Sequence, residues 1–159
     1  MLKKIWEHFE EYLLVWSLMF SVALIFLQVV MRYVFINSLS WSEELARYLF
    51  LWQIWLGASF AVKKHRHLRI ELFVDKLKGR KKQLFELAVL LIWFGFSLFL
   101  AIKGSELTIM LFKRGQVSPA MQIPMGYAYA SVPVGCGLMA IRLLEEMAAL
   151  FKTTREEVA

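Results

Sequence analysis

The sequence has a single cysteine, Cys136. That excludes an intramolecular disulfide framework and a metal site built from several thiolates. No nucleophile stands in a recognisable set with a base and an orienting group, and no glycine-rich loop suits a phosphate. The three histidines, His8, His65 and His67, lie outside the long apolar runs. Haem-binding membrane bundles need axial ligands inside the bilayer, so a cytochrome-like anchor fits poorly, although quinone contact stays open. His65 and His67 read more readily as part of a solvated basic loop than as metal ligands. Period-two alternation is missing, which argues against a β-barrel. There is no internal repeat and no low-complexity segment. The expectation is therefore no enzyme, no cofactor and no metal.

What the chain has in quantity is apolar surface. It is 159 residues long and 59% hydrophobic, with a mean hydropathy of +0.55. A soluble core of this size could not hide so much, because small domains bury only part of their surface. The bilayer is the better solvent. The formal net charge is +6. Anionic phospholipids suit it as partners. Nucleic acid does not, because the basic residues cluster between apolar runs rather than on a polar domain.

Four runs are long enough to cross the hydrocarbon core, at roughly 20 residues each. They cover residues 12–36, 41–62, 84–112 and 124–151. Backbone hydrogen bonds must close internally in lipid, so each run is expected to be a helix. The fold class is all-α: one domain over residues 1–159, with four transmembrane helices. Lys3 and Lys4 resemble a secretory leader, but Glu7, Glu10 and Glu11 follow and the next apolar run is too long, so no cleaved signal is expected.

The loop 63–82 carries nine Lys/Arg against two acids, whereas the connection 37–44 has none. The positive-inside rule makes this loop cytoplasmic and puts both termini on the same side. Two segments have the pattern of short interfacial amphipathic helices. One is N-terminal, with Leu2, Ile5, Trp6 and Phe9 on one face. The other lies in the basic loop, with Ile70, Phe73, Val74 and Leu77.

The second run opens with charge. Ser40 and Glu43 have capping-box spacing, and Glu43 and Glu44 both reach Arg47 within one helical turn. The short connection folds this helix back beside Arg32. A charge near lipid needs a partner or the interface, so Arg32, Glu43, Glu44 and Arg47 are expected to form a polar cluster at the outer end, with Trp41 as an interface anchor. A cluster at a membrane face suits a structural brace better than a transport site, which would sit near the midplane. Polar and small residues mark candidate packing faces: Ser17, Ser21, Gln28 and Arg32 on the first helix, Ala46, Gln53, Gly57 and Ala61 on the second, Gly126, Ala130 and Gly137 on the fourth. Pro133 is expected to kink or break the fourth helix. The middles of the spans hold no carboxylate. That leaves a scaffold as the favoured reading, with a stand-alone small transporter or a quinone- or haem-associated anchor as alternatives.

Four stretches carry a family resemblance. They are "MRYVF" (Met31 to Phe35) followed by "WSEELARYLFLW" (Trp41 to Trp52), "GASFAVKKHRHLRIEL" (Gly57 to Leu72), and "QIPMGYAYASVPVG" (Gln122 to Gly135). In this order the chain resembles the small, DctQ-type membrane subunit of tripartite ATP-independent periplasmic (TRAP) transporters. The resemblance implies a non-catalytic scaffold subunit in the bacterial inner membrane. Its partners would be a large multi-span membrane subunit, here a separate chain, and a periplasmic substrate-binding protein. The transport would be of organic acids such as dicarboxylates or sialic acid, coupled to sodium. By position, Arg32, Trp41, Glu43, Glu44 and Arg47 match the family's outer-end motif. His67, Arg69 and Glu71, beside Lys63 and Lys64, match its inner-loop motif. Pro124, Pro133 and Gly135 match its last-span motif.

Overall fold

Four helices long and apolar enough to cross a bilayer dominate the chain: Glu10–Tyr33, Ser40–Val62, Leu84–Lys113 and Gly126–Leu150. The computed structural model describes residues 2–63 and 80–156. Its helices are α1 (Leu2–Tyr33), α2 (Ser40–Lys63), α3 (Arg80–Lys113), the short α4 (Gly126–Tyr129) and α5 (Ser131–Glu156). Among the described residues there is no strand, only an isolated antiparallel bridge between Val117 and Pro124. Residues 64–79, and with them the amphipathic segment expected in the basic loop, lie outside the described residues.

α1 runs unbroken from Leu2. The amphipathic N-terminal stretch is thus the first part of the spanning helix rather than a separate interfacial one. At its other end α1 stops at Tyr33, short of the expected Ile36. Ile36 takes φ +53°, a left-handed conformation that a helix cannot continue, and the Asn37 N–H turns back to the Met31 carbonyl at 3.0 Å.

α3 ends in a Schellman motif. Gly115 has φ +60°, its N–H reaches the Phe112 carbonyl at 3.1 Å, and the Gln116 N–H reaches Leu111 at 3.3 Å. This pattern satisfies carbonyls that the helix end would otherwise orphan. The following loop folds on itself, with the Ser118 N–H on the Ile123 carbonyl at 2.9 Å and the Met125 N–H on Gln116 at 2.9 Å.

The last span is divided. Ala130 separates α4 from α5, and Pro133 sits in the first turn of α5. Proline has no N–H to offer Tyr129, the carbonyl four residues back. The ladder resumes at once, with the Val134 N–H on Ala130 at 3.2 Å.

The helices form an open row. α5 packs between α2 and α3, and α1 packs along α2. Where α2, α5 and α3 converge, Val62, Met139 and Leu143 are buried together, with Ala58, Leu90 and Phe94 around them. Gly135 lets α5 come close to α2: a Cβ there would stand 2.5 Å from the Trp55 Cβ and 2.8 Å from its carbonyl. The Ser97 hydroxyl donates to the Cys136 carbonyl at 2.8 Å, tying α3 to α5. The outer sides of α1 and α3 remain broadly apolar and exposed, as lipid or protein neighbours require.

Candidate functional site at the loop-bearing end

Glu43 and Glu44 are neighbours in sequence but face different structures. Successive helical residues are turned by about 100°, so adjacent side chains cannot share one partner set. Glu43 is exposed. Its carboxylate accepts from the Gln28 amide on α1 at 3.2 Å and lies 3.6 Å from Arg47. Glu44 is buried. One of its oxygens accepts from the backbone N–H groups of both Ala120 and Met121 at 3.0 Å, and the other accepts from the Tyr48 hydroxyl at 2.9 Å. Hydrogen bonds to an ionised acceptor are stronger than neutral ones. One carboxylate therefore clamps the 114–125 loop onto the head of α2.

The expected four-residue cluster is corrected by this geometry. Arg32 is exposed and, among the described residues, stands in no ion pair, because Glu43 turns to Gln28 and Arg47 while Glu44 turns away to the loop. The capping box expected from Ser40 to Glu43 is not made either, since the Glu43 carboxylate is engaged elsewhere. The serine that closes the turn is Ser42, fully buried, whose hydroxyl donates to the Leu39 carbonyl at 2.8 Å.

Above these groups lies an open hollow of about 740 Å³, lined by Ser38, Trp41, Glu43, Arg47 and Pro119 among others. Trp41 and Arg47 are both exposed there. The hollow mixes an aromatic ring, a guanidinium and a carboxylate, a surface suited to a polar protein or headgroup rather than to oil.

The other candidate residues scatter along the helices. The Gln53 amide donates to the Ser21 hydroxyl at 2.8 Å, joining α2 to α1 within the membrane. Gly135 and Gly126 make close contacts, the latter against the Phe112 ring, which meets Tyr127 edge-on at 5.3 Å. Gly57 and Gly137 face open space, so they are not contact points as their spacing had suggested. Ala61 is half-buried. Lys63 closes α2, and Lys64, His67, Arg69 and Glu71 lie outside the described residues. Among the described residues no group of three or more His, Cys, Asp or Glu could hold a metal.

Sequence reasoning missed two contacts at this end. Trp52 donates its indole N–H to the Tyr127 carbonyl at 3.1 Å, and Glu44 closes on backbone amides some 76 positions away. Backbone donors leave no mark in the sequence.

Comparison with known proteins agrees with this architecture. Residues 21–153 match the family described as tripartite ATP-independent periplasmic transporters, DctQ component. A putative TRAP transporter small permease protein of Haemophilus influenzae is 32% identical, over 85% of this chain and 83% of its own length. The isethionate TRAP transporter permease protein DctMQ of Oleidesulfovibrio alaskensis is 29% identical over 89% of this chain, which spans only 23% of that protein. The C4-dicarboxylate TRAP transporter small permease protein DctQ of Rhodobacter capsulatus is 29% identical over 68% of this chain, which spans 48% of it.

Proposed function

The chain belongs to the DctQ component family of the tripartite ATP-independent periplasmic transporters, and on that premise we propose that it is the scaffold subunit of an organic-acid importer. The family is one of transporter permeases, not enzymes, and its members are multi-pass proteins of the bacterial inner membrane. In this reading a separate large membrane subunit moves the substrate, coupled to sodium, and a periplasmic binding protein delivers it. Both termini and the basic loop are cytoplasmic, where Lys63, Lys64, His67 and Arg69 meet anionic lipid at about 1 kcal/mol per basic residue near the surface. Glu71 belongs to the same inner-loop motif.

The observation that carries the scaffold reading is the Glu44 clamp. It joins the head of α2 to the loop before α4 with two backbone hydrogen bonds to one carboxylate, which Tyr48 of α2 itself holds with a third. A joint of this kind makes the end rigid, which suits a fixed support rather than a moving gate. The hollow beside it, with Trp41, Glu43 and Arg47, then offers a polar landing surface to the periplasmic protein. Support for a large partner comes from the DctMQ relative, more than three quarters of which lies beyond the match. Dicarboxylates are favoured by the Rhodobacter relative's name, and sialic acid is a second substrate class, from the name of the Vibrio cholerae small permease protein SiaQ.

The test is reconstitution. The chain co-purifies with a large membrane subunit, and uptake of a C4-dicarboxylate into proteoliposomes needs both chains, the binding protein and a sodium gradient. Accumulation by this chain alone would make it a transporter in its own right, and haem absorbance in the purified chain would make it a redox anchor.

A further inference from the structure

α3 turns one face to α5 and leaves the opposite face bare. Gly104 lies against Val132 and Pro133, and Ser97, Thr108 and Leu111 are buried. On the far side Ile92, Phe96, Phe99 and Met110 are exposed. Lys103 and Glu106 complete that stripe, ion-paired at 2.8 Å with each side chain more than half exposed. The six positions advance by alternating steps of four and three, so they stack along one side of the helix. This is the spacing with which one helix meets another.

A bilayer alone cannot satisfy this stripe. The pair lies about 10–15 Å before the end of α3, at 1.5 Å per residue. Set at the headgroups, it would leave Leu107, Ile109 and Met110, all exposed and nearer the helix end, in water. If those residues sink into oil, the ion pair sinks with them. Charged residues inside spans face protein or a water-filled cavity, not lipid. Their mutual contact does not remove the demand, because the ammonium has three donors and the carboxylate four acceptor sites. α1 gives the contrast: Trp16, Phe20 and Phe26 are just as exposed, and the stretch between them carries no charge, so lipid suffices there.

We propose that the Ile92–Phe96–Phe99–Lys103–Glu106–Met110 stripe seats a membrane helix of the large subunit. That helix carries a hydroxyl, amide or charged group level with Lys103 and Glu106, and apolar residues on either side. The inference rests on the reading of the chain as a TRAP small subunit. The occupant is an unlike chain rather than a second copy, because in the DctMQ relative the region matching this chain is covalently joined to a much longer remainder, which fixes one of each.

Two experiments on the full-length chain, co-expressed with its large subunit, decide it. A photo-crosslinking benzoylphenylalanine at Phe99 or Met110 is expected to form an adduct with the large subunit. The exchange Lys103→Glu with Glu106→Lys keeps the pair within the helix but inverts its order. It is expected to lower the recovered ratio of large to small subunit by about threefold, the size of a typical polar contact between membrane helices, while the yield of the chain expressed alone is unchanged. Adducts only with lipid or with a second copy, while the large subunit still co-purifies, would overturn the inference and leave the family role standing. So would a ratio insensitive to the exchange. Failure of the wild-type chain to recover any large subunit would remove both.

Discussion

Glu10 near the start of α1 and Arg142 in α5, 132 positions apart, meet through a single guanidinium nitrogen that lies 2.7 Å from both carboxylate oxygens. α1 otherwise packs along α2, so this pair ties its base directly to the central helix. The arginine is 13% exposed and the glutamate 29%. Breaking a largely desolvated pair costs more than the pair contributes, because the remaining charge loses its counterion. Arg142→Met is expected to destabilise the detergent-purified chain by roughly 2 kcal/mol, less than a fully buried pair would. Glu10→Met with Arg142→Met should recover most of that loss. Thermal unfolding of the three variants checks it, and a double variant as weak as the single one would show that the ion pair is not what joins these helices.

At the other end, Glu44→Gln keeps size but removes the charge that draws two backbone amides and a hydroxyl together. Hydrogen exchange at Ala120 and Met121 is expected to rise by about tenfold or more, the scale of losing hydrogen bonds to a charged acceptor. Exchange within the core of α5 should be unaffected. Glu44→Ala is expected to lower assembly with the large subunit while substrate affinity of the assembled transporter holds. Normal assembly with collapsed affinity would assign Glu44 to the substrate path.

Gly135 and Gly57 make a matched pair for testing close packing. A methyl group at Gly135 collides with Trp55, side chain and backbone alike, and overpacking of this kind costs about 1–3 kcal/mol. At Gly57 nothing stands within 4 Å, so Gly57→Ala is expected to be neutral or slightly stabilising, since alanine favours helix by up to about 1 kcal/mol over glycine. Melting temperatures of the two variants should move in opposite directions or differ clearly in size.

Ile36 is 90% exposed at φ +53°. A β-branched residue in the left-handed region is strained by about 1–2 kcal/mol. Ile36→Gly is expected to relieve that strain and raise the melting temperature, after a small loss for the greater freedom of the unfolded chain. Ile36→Val retains the branched Cβ and should change little. Equal behaviour of the two would mean that the turn after Tyr33 carries no strain at this residue.

Much of the site was visible as composition but not as pairing. Glu43, Glu44 and Arg47 stood out as charges opening an apolar run, and local spacing correctly joined Glu43 to Arg47. Arg32 was drawn into the same cluster by its nearness to the turn, yet it stays outside. Glu44 escaped because its partners are main-chain amides of a distant loop. Arg142 was not singled out at all, since Glu145 and Glu146 stand within one turn of it and its partner Glu10 lies on another helix.

Hydropathy alone determined that the chain forms four helices long and apolar enough to cross a membrane, since a backbone in oil must close its own hydrogen bonds, but not the residues at which they end. The basic loop and the glycine after α3 are equally local features. Only the assembled molecule decided which side of each helix meets which neighbour. Lipid is as apolar as leucine, so burial against protein and exposure to oil leave the same trace in the sequence. The choice was made by shape and by a few directional bonds, such as Gly135 against Trp55, Gln53 on Ser21 and Glu44 on its loop.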